Sequence, residues 1–238
     1  SRRQRQMCIR DSFIDLDPQG NGTMGCGIEK RDLKGSIYEV LLGIASFEQA
    51  VCHSAEGGFD VLPANRELAG AEVELVGLDH RDVRLKKALE PELDKYDYVL
   101  IDCPPSLSML TLNALCAADG VIIPMQCEYY ALEGLTDLVG SVKRVRAEKN
   151  KNLRIVALLR VMFDTRITLQ QQVSTQLEEH FGDKVFKTII PRNVRLAEAP
   201  SYGLPGVVYD RSSKGAKAYM ACACLLYTSP SPRDRQKS

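Results

Sequence analysis

Apolar residues fall along this chain in two alternating rhythms. Short runs of bulky, β-branched or aromatic residues occupy 59–63, 96–102, 120–124, 153–162 and 185–190. Between them, apolar positions recur every three or four residues over 36–42, 67–76, 82–93, 106–118, 131–149, 168–181 and 213–223. Unbroken short runs suit strands covered on both faces, and the longer spacing suits helices with one buried stripe. Strands that alternate with helices predict right-handed βαβ units. The expected fold is therefore α/β, with a mostly parallel sheet and helices on both faces.

Local signals sharpen this outline. Ser36 with Glu39 three residues on predicts a capping box at a helix start. Over 106–118, Leu107, Leu110, Ala114, Leu115 and Ala118 fall on one stripe. In 131–149, Leu132, Leu135, Val139, Val142 and Val145 do the same, and Lys143, Arg144, Arg146 and Lys149 form a wet outer face. Gly20, Gly22, Gly25 and Gly27 predict a loop in which backbone can approach a ligand closely.

The most informative run is Tyr98-Val99-Leu100-Ile101-Asp102-Cys103-Pro104-Pro105-Ser106. It predicts a central strand buried on both faces, with Ser106 opening the next helix. Asp102 ends that strand, where open α/β sheets bind ligands; the plain alternative is an Asp that caps the following turn. Upstream, Phe13-Ile14-Asp15-Leu16-Asp17-Pro18 reads as a strand end that turns at Pro18 and Gly20. Two acids one residue apart point to opposite sides if the strand continues. One then faces a site while the other takes a structural hydrogen bond.

Composition changes the picture mainly at the ends. Residues 1–12 and 224–238 resemble translated sequencing-adapter sequence in opposite orientations, and are set apart from fold reasoning. The first stretch carries four Arg and one Asp, the second two Arg, one Lys and one Asp. The body between them therefore has a formal charge of −5 against 0 for the whole chain. A mildly acidic body gives no global argument for nucleic acid, so any such site must be a local patch. With 45% hydrophobic residues in the chain as a whole, the body (13–223) is expected to form one globular domain. Cys26, Cys52, Cys103, Cys116, Cys127 and Cys222 are scattered without paired metal spacing, and read as small hydrophobes in a reducing compartment. No apolar run reaches transmembrane length.

At Phe13–Asn21, at Tyr98–Ser106, in Glu128-Tyr129-Tyr130-Ala131-Leu132-Glu133-Gly134 and in Pro191-Arg192-Asn193-Val194-Arg195-Leu196-Ala197-Glu198-Ala199-Pro200-Ser201, the chain resembles the ParA/Soj partitioning ATPases. These are deviant Walker A P-loop ATPases, a class that also holds MinD. The likeness runs in order across 13–223. It implies a P-loop NTPase, a Rossmann-like three-layer sandwich. It implies ATP and Mg²⁺ as cofactors, a homodimer formed with ATP, non-specific DNA binding, a ParB-like partner and a cytoplasmic, nucleoid-associated place with no membrane partner. The family's phosphate loop, Lys-Gly-Gly-Val-Gly-Lys-Thr-Thr, is not found in this chain. The first strand and P-loop are expected to be missing, the sheet to keep exposed apolar edges, and the chain as it stands not to hydrolyse ATP.

The resemblance also assigns roles. Asp17 matches the acid that positions the attacking water near Mg²⁺, and Asp102 the Walker B acid that reaches Mg²⁺ directly or through water. Asp15 either assists that site or anchors the loop. Pro104 to Leu107 correspond to a switch segment that responds to the γ-phosphate. Glu128 matches an acid that contacts nucleotide across the dimer, the alternative being a solvated surface Glu. Pro191, Arg192 and Asn193 match the base-binding loop, or else form a strand-ending turn. Arg166 and Arg195 match basic DNA-holding positions, where solvation is the usual fate of a lone surface Arg. Two rival readings remain: a MinD-like membrane-surface ATPase, which needs an amphipathic C-terminal helix, and a nucleotide-free interaction module.

Overall fold

A computed structural model of the chain describes residues 10–228. They divide into two compact units: one built from residues up to 118 together with 199–205, the other from 119–198 together with 206 onward.

In the first unit the order is β1 (Asp11–Asp15), α1 (Asn21–Gly25), α2 (Ile37–Leu42), α3 (Phe47–Ala50), β2 (Cys52–Ser54), β3 (Phe59–Leu62), α4 (Leu68–Val76), α5 (Arg84–Leu89), β4 (Tyr98–Asp102) and α6 (Met109–Ala117). The sheet runs β2-β3-β1-β4. β1 pairs in parallel with both β3 and β4, and β2 is antiparallel to β3. The register sets Asp15 opposite Asp102. Parallel neighbours need crossovers, and the helices that supply them bury Ile37, Leu41, Leu68, Leu75, Leu85 and Leu110 against Ile14, Leu16 and Leu62. Ser36 caps α2 in a capping box with Glu39, as the pattern predicts.

The second unit contains β5 (Gly120–Met125), α7 (Ala131–Glu148), β6 (Arg154–Arg160), α8 (Thr168–Phe181), α9 (Val194–Glu198), α10 (Gly206–Tyr209) and α11 (Lys214–Thr228). β5 and β6 form a parallel pair. Leu135, Val173 and Leu177 close over Ile123, Met125 and Leu158. The whole is α/β with a mostly parallel sheet arrangement and flanking helices, as expected.

Several expectations need correction. β4 is an edge strand, not a doubly buried centre: its only strand partner among the described residues is β1, so Leu100 stays 54% exposed. Ser106 does not open the next helix; Ser108 caps α6 by accepting from the Leu110 amide at 3.2 Å, and Leu107 is 54% exposed outside it. The Gly-rich stretch contains a short helix, α1, because Gly20 turns into the left-handed region (φ 59°) and starts it. Residues 185–190 form no strand; single bridges, Leu158–Val185 and Phe163–Pro191, tether that stretch. β1 reaches back to Asp11, and α11 runs on to Thr228, each into a stretch read as adapter-derived. The remainder of those end stretches, 1–9 and 229–238, lies outside the described residues.

Candidate functional site

The site begins with the end of β1. Asp15 is fully buried and accepts three hydrogen bonds. Its Oδ2 takes the Thr23 amide at 2.7 Å and the Thr23 hydroxyl at 2.8 Å. Its Oδ1 takes the Asp17 amide at 3.0 Å. Such donors give a carboxylate removed from water the hydrogen bonds that burial takes away. Thr23 Oγ1 in turn accepts the Ala64 amide at 2.9 Å, so the chain Asp15–Thr23–Ala64 fastens α1 to the residues after β3. Of the two alternatives for Asp15, the geometry is that of the loop anchor. Thr23 was not legible in the sequence, because its partner lies eight residues away across a turn.

Asp17 sits on that anchored turn, half-buried. Its Oδ1 accepts the Gln19 amide at 2.9 Å and its carbonyl accepts the Gly20 amide at 2.8 Å. It therefore shapes the turn. No described residue bonds to its Oδ2. Lys30 Nζ donates to the Gln19 carbonyl and closes the turn from outside. The glycines are needed here. A Cβ on Gly20 would meet the Ala64 carbonyl at 2.9 Å, and one on Gly22 would meet the Phe13 ring at 2.7 Å and Asp15 Oδ2 at 3.1 Å.

Asp102 ends β4 beside this turn, its backbone carbonyl accepting the Leu16 amide at 2.8 Å. Burial, then the charges of Asp15 and Asp17, push its carboxyl up to about 6, against a smaller opposing pull from the Cys103 amide. Its outer side nevertheless faces solvent, which screens that repulsion. Burial, then the charges of Asp15 and Asp102, push the Cys26 thiol up to about 11. Asp15, Asp17 and Asp102 are thus brought to one end of one sheet. Among the described residues no group of three His, Cys, Asp or Glu side chains is close enough to hold a metal by itself. The hard carboxylate oxygens fit Mg²⁺, provided most of its ligands come from water or phosphate.

The other candidate residues belong to the second unit. Glu128 is exposed at the end of β5, next to Tyr129 and Tyr130, whose rings meet edge-on with centroids 5.0 Å apart. Pro191 to Asn193 follow the tether to Phe163, and Asn193 Oδ1 accepts the Leu196 amide at 3.3 Å near the start of α9. The Arg192 amide donates to the Phe163 carbonyl at 3.3 Å, which ties this loop to the one carrying Arg166. Arg166 is exposed and grips Asp164 with two side-chain bonds, 2.9 and 2.6 Å. Arg195 pairs with Glu198 at 3.1 Å and approaches Asp210 at 3.7 Å.

Residues 6–155 match a family model described as an AAA domain. The sporulation initiation inhibitor protein Soj of Bacillus subtilis is 50% identical over 211 residues, covering 89% of this chain and 83% of that protein. The chromosome partitioning protein ParA of Myxococcus xanthus is 44% identical over 228 residues, covering 96% and 81%. Among solved structures, cobyrinic acid a,c-diamide synthase from Mycobacterium smegmatis with bound ATP analog and magnesium superposes with a TM-score of 0.80 at 34% identity, covering 94% of this chain and 84% of that one. Identity to the partitioning proteins is higher and extends over nearly the whole chain. The chain belongs to the ParA/Soj family of partitioning ATPases.

Proposed function

We propose that the intact protein to which this sequence corresponds hydrolyses ATP with Mg²⁺ and partitions a chromosome or plasmid. The single observation that carries this reading is the placement of Asp15, Asp17 and Asp102 at the carboxyl ends of adjacent parallel strands. Bound Mg²⁺ would supply charge neutralisation for a triphosphate. Asp102 and Asp17 would hold it, in part through water, and Asp15 would keep the Asp17 turn in place. Asp17, with Oδ2 uncommitted, is suited to orienting a water for in-line attack. Glu128 and the Pro191, Arg192, Asn193 loop would contact the nucleotide.

In this reading ATP brings two copies together, the dimer holds DNA non-specifically through Arg166 and Arg195, and a ParB-like partner stimulates hydrolysis and release. The working place is the cytoplasm, on the nucleoid. Without the phosphate loop motif, the 238-residue chain itself binds ATP weakly and is inactive. The test uses a chain carrying the family's phosphate loop before Phe13. Its Asp17→Ala variant is expected to bind ATP, stay on DNA and hydrolyse slowly. Rapid hydrolysis by that variant overturns the assignment of Asp17.

A further inference from the structure

Both arginines proposed to face DNA already hold carboxylates. Arg166 is 87% exposed, yet its Nε and one terminal nitrogen are both taken by Asp164. That is the forked geometry in which a guanidinium binds phosphate. Arg195 is turned toward Glu198 and Asp210, and Tyr209 holds Glu198 in place through a hydroxyl bond at 3.4 Å. Asp210 is fixed as well: its Oδ1 accepts the Ser212 amide and hydroxyl and the Ser213 amide at 2.7–3.1 Å. These acids are not loose side chains that meet an arginine by chance. Asp164 accepts the Arg166 amide at 3.0 Å, and its own amide donates to Gln170 at 2.7 Å. The Arg166 guanidinium, with Arg192 nearby, holds the Asp164 carboxyl well below the usual carboxylate range.

We infer that Asp164, Glu198 and Asp210 are built-in competitors for the two arginines, so that nucleic-acid phosphate binds this unit by exchange with carboxylate. This rests on the reading of Arg166 and Arg195 as DNA-facing. Direct contact between an unpaired arginine and phosphate releases only counterions. Here each contact must also break an internal ion pair, which lowers affinity for a lone duplex. Three residues thus set how tightly DNA is held, without touching it.

The experiment measures binding of the chain carrying the family's phosphate loop before Phe13, with ATP and Mg²⁺ present, to a labelled random-sequence duplex between about 50 and 200 mM salt. Variants are Asp164→Asn, Glu198→Gln and Asp210→Asn, each alone and combined with alanine at the paired arginine. Glu179→Gln, an exposed acid on α8, makes the same change in net charge and serves as control. Each carboxylate variant is expected to tighten binding about two- to fivefold, the size of one exposed ion pair. The gain should vanish when the paired arginine is alanine, and Glu179→Gln should gain less. Equal gains from the control, or gains that survive loss of the arginine, overturn the exchange. If Arg166→Ala and Arg195→Ala in the loop-carrying chain bind DNA like the unsubstituted one, or if that chain with ATP binds none, the DNA reading itself fails.

Discussion

Asp15 and Thr23 hold each other through two bonds, and the whole candidate site hangs on that pair: the Thr23 amide and hydroxyl both donate to one carboxylate oxygen, at 2.7 and 2.8 Å. The pair joins the end of β1 to α1. It also fixes the Asp17 amide through the other oxygen.

Thr23→Ala removes the hydroxyl that serves Asp15 and accepts from Ala64, both in a fully buried setting. Leaving those groups unpaired is expected to cost about 1–3 kcal/mol. Urea denaturation of the two chains checks it. Thr23→Ser, which keeps the hydroxyl, should recover most of the loss.

Asp102 should make stability fall as pH rises. Its folded carboxyl is raised to about 6, above its ordinary value of 3.8, so between these values the folded state binds more protons than the unfolded. Stability is therefore highest below about pH 4 for this group alone and declines up to about pH 6. Asp102→Asn should flatten that part of the profile and raise the urea midpoint at pH 7. A midpoint unchanged at pH 7 would mean that solvent screens the three carboxylates completely.

Gly22→Ala tests the close packing under the Asp17 turn. The added methyl would sit 2.7 Å from the Phe13 ring and 3.1 Å from Asp15 Oδ2. Neither neighbour can retreat without disturbing β1, so a loss of about 1–3 kcal/mol is expected. Gly25→Ala, where a Cβ meets nothing within 4 Å, is the matched control and should be neutral or mildly stabilising.

Arg160 tests the second unit. It is 4% exposed and donates to Ser174 Oγ, to Glu178 and to the Phe186 carbonyl, joining β6, α8 and the stretch after it. Arg160→Ala strands the Phe186 carbonyl and the Ser174 hydroxyl, whereas Glu178, 55% exposed, turns to water, and should cost about 1–3 kcal/mol. Arg160→Met, which refills the volume, should cost less when Glu178→Gln accompanies it. Differential scanning calorimetry of the three chains measures the order.

The fold was legible wherever one local rule acted alone. Ser36 and Glu39 marked α2 because both partners of a capping box lie within one turn. The spacing from Thr168 to Phe181 marked α8 to the residue, and Leu135, Val142 and Val145 are the buried stripe of α7 as read. Errors arose where tertiary placement overrode composition. The Tyr98–Ile101 run has the apolar content of a central strand, but position in a sheet is set by which strands pair, and no local pattern encodes that. Residues 185–190 have strand composition but meet β6 through an isolated bridge and scattered backbone bonds, too few to make a ladder. Of the site, the three acids were visible as acids at strand ends. Thr23, Lys30 and the acids paired to Arg166 and Arg195 were not, since ordinary polar residues acquire such roles only through contacts.

The far edge of β4 has a practical consequence at the bench. The backbone edge of β4 has no strand laid along it among the described residues, and Leu100 beside it is more than half exposed, while Val99 and Ile101 pack on the core. Such an edge invites any extended polypeptide, including another molecule of the same chain, to add itself as a further rung. Solutions of this chain should therefore cloud with rising concentration. Leu100→Lys should keep them clear in light scattering, whereas turbidity that ignores this change would place the sticky surface elsewhere.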